Sequence, residues 1–529
     1  MLQVENVGLT FGKRVLFENV NLKFEGDNCY GIIGANGAGK STFLKILSGE
    51  IESTTGSVIV PKDERISVLV QNHNAYDDYT VIDTVIMGDK ELYDIKTEKD
   101  ALYMKENFTN EDGIRAGILE DLFLKHNGWQ AESDAAILLS GLGIKTELHN
   151  SFMRELKESD KVKVMLARAL FGEPDILLLD EPTNGLDLQS KEWLEEFLIN
   201  FKNTVIVISH DRYFLNKVCT HMVDIDYGKI TLFVGNYDFW YESSQLIQKQ
   251  MRDSNKKKEE KIAELQDFIR RFSANASKSK QATSRKKTLE KIVLDEIKPS
   301  SRRYPFINFE QEKRLGKEVI YVNKVNKIVD GKNVLNNVRF TIKPGDKIAL
   351  IGNNEVAKTA LLNILAGKDT NFEGEVKYGT TVVTTYYPKN FEPYFETKEN
   401  MVDWLRNYSE NKDETFIRGF LGRMLFSGEE SLKSVNVLSG GEKVRCMFSK
   451  MMLEHGNVLL FDEPTNHLDM ESITSLNDGM VKFDGCIMFS SYDQHLISNV
   501  ANRIIEIKDD GTIIDSELSY DEYVKKYGK

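Results

Sequence analysis

The chain has 529 residues, a length that predicts roughly three or four domains. Its formal net charge of −13 argues against a protein that coats nucleic acid, although an average over the whole chain can hide a local basic segment. The four cysteines lie far apart, which excludes a disulfide framework and a cysteine-based metal site. Because no apolar run approaches the roughly 18 residues that span a bilayer, we expect a cytoplasmic protein without membrane contacts.

A phosphate-binding loop follows the first predicted strands. Residues 1–28 alternate between apolar and polar side chains, as β-strands do, and the short apolar run Tyr30 to Ile33 comes next. The loop, Gly34 to Thr42, has the sequence Gly-Ala-Asn-Gly-Ala-Gly-Lys-Ser-Thr and leads into a predicted helix. Its glycines let backbone N–H groups surround phosphates, Lys40 reaches the terminal phosphates, and the Ser41 hydroxyl can ligate Mg²⁺. The residues expected to hold the phosphates are Gly34, Asn36, Gly37, Gly39, Lys40, Ser41 and Thr42.

The same order of motifs occurs twice. A second apolar strand leads into Gly352 to Thr359, and the runs Leu177 to Asn184 and Leu459 to Asn466 both contain Asp-Glu-Pro-Thr-Asn. An apolar strand that ends in Asp-Glu is the Walker B pattern, in which Asp180 helps to hold Mg²⁺ and Glu181 polarises the attacking water. The chain is therefore predicted to be an α/β protein with two tandem P-loop NTPase domains.

One interval differs between the two copies. Gln71 and Leu156 are 85 residues apart, whereas their counterparts Lys389 and Leu438 are 49 residues apart, so the first copy has 36 additional residues. We expect these to form an insertion at about residues 85–125 that contains two helices. The predicted domains are residues 1–240, a basic helical linker at residues 241–303, and residues 304–529.

The predicted linker contains a basic segment, whereas the chain as a whole is acidic. Residues 268–288 contain seven basic residues and no acidic one, and helical periodicity on both sides of a small polar break at residues 273–280 predicts a helical hairpin. A solvated helical linker is one interpretation; contact with a phosphate backbone is favoured, because the charge has one sign and flanks a loop tip. Phe268 and Phe272 can stack on bases or pack within the hairpin. The basic residues are Arg270, Arg271, Lys278, Lys280, Arg285, Lys286 and Lys287.

A third motif lies in the second copy. Leu438 to Gly441 is Leu-Ser-Gly-Gly before an apolar helix, a helix N-terminus that can close on a γ-phosphate held by the other copy. Together with the other motifs, this signature makes the chain resemble the ABC-F family of tandem ATP-binding cassette proteins. The other features that carry the resemblance are the paired P-loops and Walker B strands, the one-sided insertion, the linker sequence Phe272 to Ser279, and the paired endings Gly235 to Asp238 and Ser519 to Tyr523. The resemblance covers essentially the full chain and is to the YbiT-like branch.

This resemblance implies an ATPase that regulates translation. Members of the family lack membrane domains and bind the ribosome near the tRNA exit site, with the linker approaching the peptidyl-site tRNA. ATP and Mg²⁺ are then the expected ligands, and rRNA and tRNA the expected contacts of the basic linker. A monomer is expected whose cassettes close on each other around ATP, bind the ribosome in that closed form, and are released by hydrolysis.

The first composite site is expected to be complete. In this family each ATP lies between the P-loop of one cassette and the signature of the other. The resemblance implies that Glu181 orients or deprotonates water, that His210 contacts the γ-phosphate, and that Phe11 stacks on adenine. The implied set is Lys40, Gln71, Glu181 and His210 for catalysis, Ser41, Gln71 and Asp180 for Mg²⁺, and Phe11, Ser439, Gly440 and Gly441 together with the P-loop for ATP.

The second composite site departs from the family pattern at almost every position. Glu355 and Ala357 replace P-loop glycines, Lys389 replaces the expected glutamine, and Tyr492 replaces the expected histidine. Because all the changes fall on one site, we expect one hydrolytic site and one catalytically inactive site that binds ATP weakly. The remaining positions of the second site are Lys358, Thr359, Asp462 and Glu463, with Val329 at the adenine position and Lys157, Glu158 and Ser159 at the signature position.

Each alternative function would be expected to have a sequence feature that differs from those of this chain. Within the family, the alternative is a ribosome-protection factor for antibiotic resistance, which goes with a longer linker tip than residues 273–280. A transporter subunit would need membrane partners, and a DNA-repair ATPase would need a longer coiled coil or zinc-binding cysteines. A nucleotide-sensing scaffold would need an inactive first site, and the intact Glu181 argues against that.

Overall fold

The computed structural model describes residues 1–12, 14–70, 73–272, 302–466 and 468–527. Within these ranges the chain forms two α/β units of the same topology, and a long helix follows the first unit. Among the helices in the described ranges, none combines the length and the apolar composition needed to cross a bilayer.

The first unit contains nine strands and eight α-helices in its described residues. The strands are β1 (Leu2–Phe11), β2 (Arg14–Phe24), β3 (Cys29–Gly34), β4 (Thr55–Ile59), β5 (Ile66–Val68), β6 (Ile176–Asp180), β7 (Thr204–Ile208), β8 (His221–Asp226) and β9 (Lys229–Val234). The helices are α1 (Lys40–Leu47), α2 (Val81–Ile86), α3 (Lys90–Tyr103), α4 (Asn110–Lys125), α5 (Ala131–Gly141), α6 (Glu158–Leu170), α7 (Leu188–Asn200) and α8 (Arg212–Val218).

The central sheet of the first unit positions the phosphate-binding loop. Its strand order is β5-β6-β7-β3-β8-β9, and only the edge strand β9 is antiparallel to its neighbour. All six residues of β3 are buried, as expected for a parallel strand that is covered on both faces. The loop runs from the carboxyl end of β3 to the N-terminus of α1, which is the end of a helix that attracts anions.

Helices α3 and α4 occupy the range expected for the insertion. Asp89 caps α3 by accepting the backbone N–H of Leu92 at 3.1 Å, and Thr109 caps α4 through a reciprocal pair of hydrogen bonds with Asp112. The two helices pack together, and their apolar faces, including Phe123, join the buried core of the first unit.

A long helix, α9 (Tyr237–Phe272), leaves the first unit after β9. Its first turns are anchored because the side chains of Tyr237 and Trp240 are buried in the core of that unit. The helix extends into the predicted linker. The following predicted features lie outside the described residues: the break at 273–280, Lys278, Lys280, Arg285, Lys286 and Lys287, and the side chains of Arg270 and Arg271.

The second unit repeats the topology of the first. Its strands are β10 (Ile320–Val329), β11 (Lys332–Ile342), β12 (Lys347–Ile351), β13 (Glu373–Tyr378), β14 (Thr384–Tyr387), β15 (Val458–Asp462), β16 (Cys486–Ser490), β17 (Arg503–Ile507) and β18 (Ile513–Ser516). Its helices are α10 (Glu355–Leu365), α11 (Met401–Arg406), α12 (Glu414–Arg423), α13 (Gly440–Leu453), α14 (Met470–Lys482), α15 (Gln494–Val500) and α16 (Tyr520–Tyr527).

The two units are related strand by strand. The order β14-β15-β16-β12-β17-β18 is the counterpart of the central sheet of the first unit, and the antiparallel sheets β2-β1-β4 and β11-β10-β13 also correspond. The predicted duplication of the α/β unit is therefore confirmed.

Candidate active site

The first phosphate-binding loop has a backbone that depends on glycine. Gly37 and Gly39 have φ angles of 75° and 104°, in the left-handed region that side chains with a Cβ rarely adopt. A Cβ on Gly34 would lie 2.7 Å from the backbone oxygen of Ile225. The Lys40 ammonium donates to the Gly34 carbonyl at 2.7 Å, so its charge is held at the loop itself. This loop can therefore accept a phosphate close to its backbone.

Two of the expected Mg²⁺ ligands lie side by side. Asp180 ends β6, and the Ser41 hydroxyl at the start of α1 hydrogen-bonds to its carboxylate. Burial raises the pKa of Asp180, while this hydrogen bond and the charge of Lys40 oppose the rise. A carboxylate and a hydroxyl are oxygen ligands of the kind Mg²⁺ prefers, so the donor set fits the ion. The third expected ligand, Gln71, lies outside the described residues.

Glu181 and His210 face each other beside the loop. Glu181 Oε1 lies 3.4 Å from His210 Nε2, and Glu181 Oε2 accepts the backbone N–H of His210 at 3.2 Å. Within the described part of the chain, Glu181 Oε1 is buried without a hydrogen-bond partner. Burial raises the pKa of Glu181 to about 8, and burial together with the charge of Lys40 lowers the pKa of His210 to about 4. A carboxyl group with this pKa can exchange a proton with water near neutral pH.

The second unit meets the first phosphate-binding loop through the start of α14. The Asn36 amide donates to the Asp469 carboxylate at 3.2 Å, and Met470 is buried in the core of the first unit. Nearby, the Arg212 guanidinium donates to the Thr474 hydroxyl. Part of the second unit therefore already lies against the loop that is expected to hold phosphate.

Arg302 connects both units at the point where the chain returns from the linker. Its guanidinium donates to Asp224 at 2.6 Å and to Asp226 at 3.1 Å, lies 3.3 Å from Glu471 Oε1, and stacks 4.9 Å from the centre of the Trp240 ring. Sequence analysis did not identify this residue as part of a site, because its partners come from β8, α9 and α14. A cavity of about 10 Å³ beside it is lined in part by Gly34, Lys40, His210, Tyr237, Arg302 and Glu471.

The signature segment makes its hydrogen bonds within the second unit. The backbone N–H and the hydroxyl of Ser439 both donate to Glu442 Oε2 at 2.8 Å, and Gly440 and Gly441 form the first turn of α13. The start of α14 faces the first loop through Asp469 and Glu471. The pairing of the signature with the first loop across a bound γ-phosphate stays a prediction. Phe11 ends β1, and its side chain lies outside the described residues.

In the second unit, the substituted residues contact one another. Lys389 Nζ lies 2.6 Å from Glu355 Oε2 and 3.1 Å from Glu463 Oε1. The Tyr492 hydroxyl donates to Glu355 Oε1 at 2.8 Å and accepts a hydrogen bond from Lys358 Nζ at 3.2 Å. Sequence analysis identified Glu355, Lys389 and Tyr492 as departures from the family pattern but did not predict that they pair.

Comparison with known proteins identifies the family. A family model described as "ABC transporter" matches residues 17–184 and 335–466, and a second model with the same description matches residues 223–309. The chain is 60% identical to the uncharacterized ABC transporter ATP-binding protein YkpA of Bacillus subtilis, over 99% of this chain and 97% of the relative. The chain belongs to the ATP-binding cassette family, in its ABC-F branch. This ABC-F chain is also 45% identical to the probable ATP-binding protein YbiT of Escherichia coli O157:H7, over the full length of both proteins.

Solved structures share the tandem arrangement. The archaeal ribosome recycling factor aABCE1, solved in complex with the ribosomal stalk protein aP1, matches with a TM-score of 0.64 and 16% identity, over 99% of this chain and 92% of that chain. A structure of RNase-L Inhibitor matches with the same TM-score and identity, over 99% and 93% of the two chains. At this identity the likeness concerns the fold alone. It confirms the predicted pair of tandem cassette domains.

Proposed function

We propose that this ABC-F protein is a cytoplasmic ATPase that binds the ribosome near the tRNA exit site while ATP holds its cassettes closed, and that hydrolysis at the first composite site releases it. The observation that carries the hydrolytic part is the placement of Glu181 and His210 beside the glycine-dependent loop and Lys40. Two cassettes in one chain allow the protein to close on itself as a monomer.

The roles of the first-site residues follow from their positions. Backbone N–H groups of the loop and the Lys40 ammonium bind the phosphates, and Glu181 holds or removes a proton from the attacking water. His210, whose pKa is lowered by burial, is neutral at physiological pH and can accept or donate one hydrogen bond at the γ-phosphate. Bound Mg²⁺, held by Ser41, Asp180 and Gln71, would neutralise phosphate charge. Closing brings Ser439, Gly440 and Gly441 to the γ-phosphate, while Phe11 stacks on the adenine.

The second composite site is proposed to be catalytically inactive. Its counterpart of Glu181, Glu463, is engaged by Lys389, and its counterpart of His210 is a tyrosine that contacts Lys358. The Glu463 carboxylate is held in an ion pair, and the tyrosine has no carboxylate. The second site therefore lacks a carboxylate that is free to accept a proton from water. ATP turnover is accordingly assigned to the Lys40 site.

The ribosomal partner is proposed from the family resemblance and from the charge of the linker. Seven basic residues and no acidic one at residues 268–288, in a chain of net charge −13, give a segment that phosphate backbones attract. Two solved structures with the same fold are those of an archaeal ribosome recycling factor and of ribosome-bound archaeal Pelota and ABCE1. The proposed division is a first cassette at residues 1–240 with its insertion, a basic linker at 241–303, and a second cassette at 304–529.

Co-sedimentation with ribosomes tests the proposal. A Glu181→Gln variant should trap the closed form, because the nucleotide binds but is not hydrolysed. We expect it to pellet with ribosomes in ATP and to remain in the supernatant in ADP. Retention should fall steeply with salt, because phosphate contacts release counterions when they form.

Two matched variants serve as controls. Glu463→Gln, at the corresponding position of the second cassette, should not trap the protein on ribosomes in ATP. Replacing the seven basic residues of segment 268–288 with glutamine in the Glu181→Gln background should weaken retention and flatten its salt dependence. Absence of binding by Glu181→Gln in either nucleotide would contradict the ribosomal part of the proposal.

A further inference from the structure

The second phosphate-binding loop has become the first turn of a helix. Helix α10 begins at Glu355, three positions before Lys358, whereas α1 begins only at Lys40, the counterpart of Lys358. Glu355 occupies the position of Gly37, so the left-handed conformation of the first loop is replaced by a helical one. The segment that would surround a phosphate is therefore wound into the helix.

A side chain of the loop itself caps this helix. Asn354 Oδ1 accepts the backbone N–H of Ala357 at 3.1 Å, and the Asn354 carbonyl accepts the backbone N–H of Lys358 at 3.2 Å. The free N–H groups of a helix N-terminus are the donors that bind a phosphate in a P-loop. In the second cassette, two of these donors are already used within the chain.

A carboxylate lies where the loop would hold negative charge. Glu355 accepts hydrogen bonds from Lys389 at 2.6 Å and from Tyr492 at 2.8 Å. Burial disfavours its ionised form, but these hydrogen bonds outweigh burial and hold the pKa of Glu355 below its usual value. Lys358, the P-loop lysine, shares the Tyr492 hydroxyl with this carboxylate, so a fixed anion is present beside it.

An ammonium group lies where the first site would place its metal ligand. Lys389 is the counterpart of Gln71, and it bridges the carboxylates of Glu355 and Glu463 at 2.6 and 3.1 Å. The second oxygen of Glu463 accepts the Asn466 amide at 2.8 Å. A divalent cation in a nucleotide site joins phosphate oxygens to protein oxygens. Like such a cation, Lys389 connects two acidic groups, the Glu355 carboxylate of the loop and Glu463, the glutamate that follows the Walker B strand.

We propose that the second nucleotide site is filled by its own side chains: the Glu355 carboxylate replaces the phosphate, and the Lys389 ammonium replaces the divalent cation. The protein therefore binds one ATP rather than two. This inference goes beyond the absence of catalysis at the second site, since an inactive site can still hold a nucleotide. It does not depend on the ribosomal partner, so failure of one proposal leaves the other standing.

Counting bound nucleotide tests the inference directly. Equilibrium dialysis of the full chain with radiolabelled ATP and Mg²⁺ should give one ATP per protein at saturation. In a Lys40→Ala variant, which retains the second site intact, binding should fall at least tenfold in affinity. Two ATP per unmodified protein, or one ATP on the Lys40→Ala variant with affinity close to that of the unmodified protein, would overturn the proposal.

A double-mutant cycle tests the side-chain replacement without any nucleotide. Glu355→Gln and Lys389→Gln should each lower the melting temperature by about 2–4 °C. The decrease in the double variant should be smaller than the sum of the two single decreases, because the two side chains are partners. The matched control is the exposed pair Lys343 and Glu517, 3.0 Å apart in the same cassette. For this pair we expect almost no change in melting temperature from either substitution, and no coupling between the two substitutions. Additive losses for Glu355 and Lys389 would contradict their pairing.

Discussion

Glu181 and Glu463 occupy equivalent backbone positions but have different side-chain surroundings. Both have positive φ angles, 53° and 51°, and the backbone N–H of each is bonded to the neighbouring strand. Glu463 is paired with Lys389 and Asn466, whereas Glu181 Oε1 has no hydrogen-bond partner among the described residues. Two copies of one strand and turn thus carry one glutamate with a buried, unpartnered oxygen among the described residues and one glutamate in an ion pair.

Protein stability should depend on pH through Glu181. Its folded-state pKa of about 8 is above the ordinary value of 4.5, so the folded protein retains a proton that the unfolded chain loses. This contribution to stability is present at low pH and is lost as pH rises toward 8. Between pH 6.5 and 8, where His210 is neutral in the folded protein, we expect a loss of about 1.5 kcal/mol from Glu181. Urea unfolding of the nucleotide-free protein measures it.

Glu181→Gln should remove this dependence, because an amide does not titrate in that range. The exposed Glu155→Gln serves as the control and should leave the loss unchanged. If unmodified and Glu181→Gln proteins lose the same stability between pH 6.5 and 8, the raised pKa of Glu181 is wrong.

The sequence predicted candidate residues for each nucleotide site but not the contacts that they make. Lys40, Asp180 and Glu181 could be assigned because their motifs have fixed spacing in the chain. The Glu355–Lys389 pair and the Arg302 contacts could not, because each joins segments whose proximity depends on how the sheets and helices pack. At the second loop, a local signal was nonetheless present: Asn354 is a good helix cap and is followed by residues without glycine.

At the scale of elements, periodicity predicted the strands around each loop and the two helices of the insertion. It also predicted a helix in the first part of the linker, which α9 confirms. The return of the chain at Arg302 had no sequence signal. This residue places three acidic side chains, Asp224, Asp226 and Glu471, around one guanidinium and so ties the end of the linker to both cassettes.

Arg302→Ala should destabilise the protein by roughly 3 kcal/mol, because it leaves buried carboxylates without their counter-charge. Chemical denaturation of the full chain measures the loss. Arg303→Ala is the matched control: Arg303 is the exposed neighbour of Arg302, and its replacement should cost less than about 0.5 kcal/mol. Equal effects of the two substitutions would show that Arg302 does not anchor the linker.

For the whole molecule, the two cassettes contact each other beside the first phosphate-binding loop. Asn36 and Lys191 of the first cassette hydrogen-bond to Asp469 and to the Tyr492 carbonyl of the second, at 3.2 and 3.1 Å. Under the proposed function, the signature at the start of α13 contacts the γ-phosphate that this loop holds. Under the proposed function the two halves differ in chemistry: the first site binds and hydrolyses ATP, whereas Glu355 and Lys389 form an ion pair in the second.

Steady-state ATP turnover of the two glutamate variants tests this asymmetry most directly. Glu181→Gln should lose roughly 100-fold or more in turnover, because it removes the residue that handles the proton of the attacking water. Glu463→Gln should stay within about twofold of the unmodified protein, because no proton is transferred at its site. Melting temperatures of both variants control for folding. Comparable losses of turnover in the two variants, with folding intact, would contradict a single hydrolytic site.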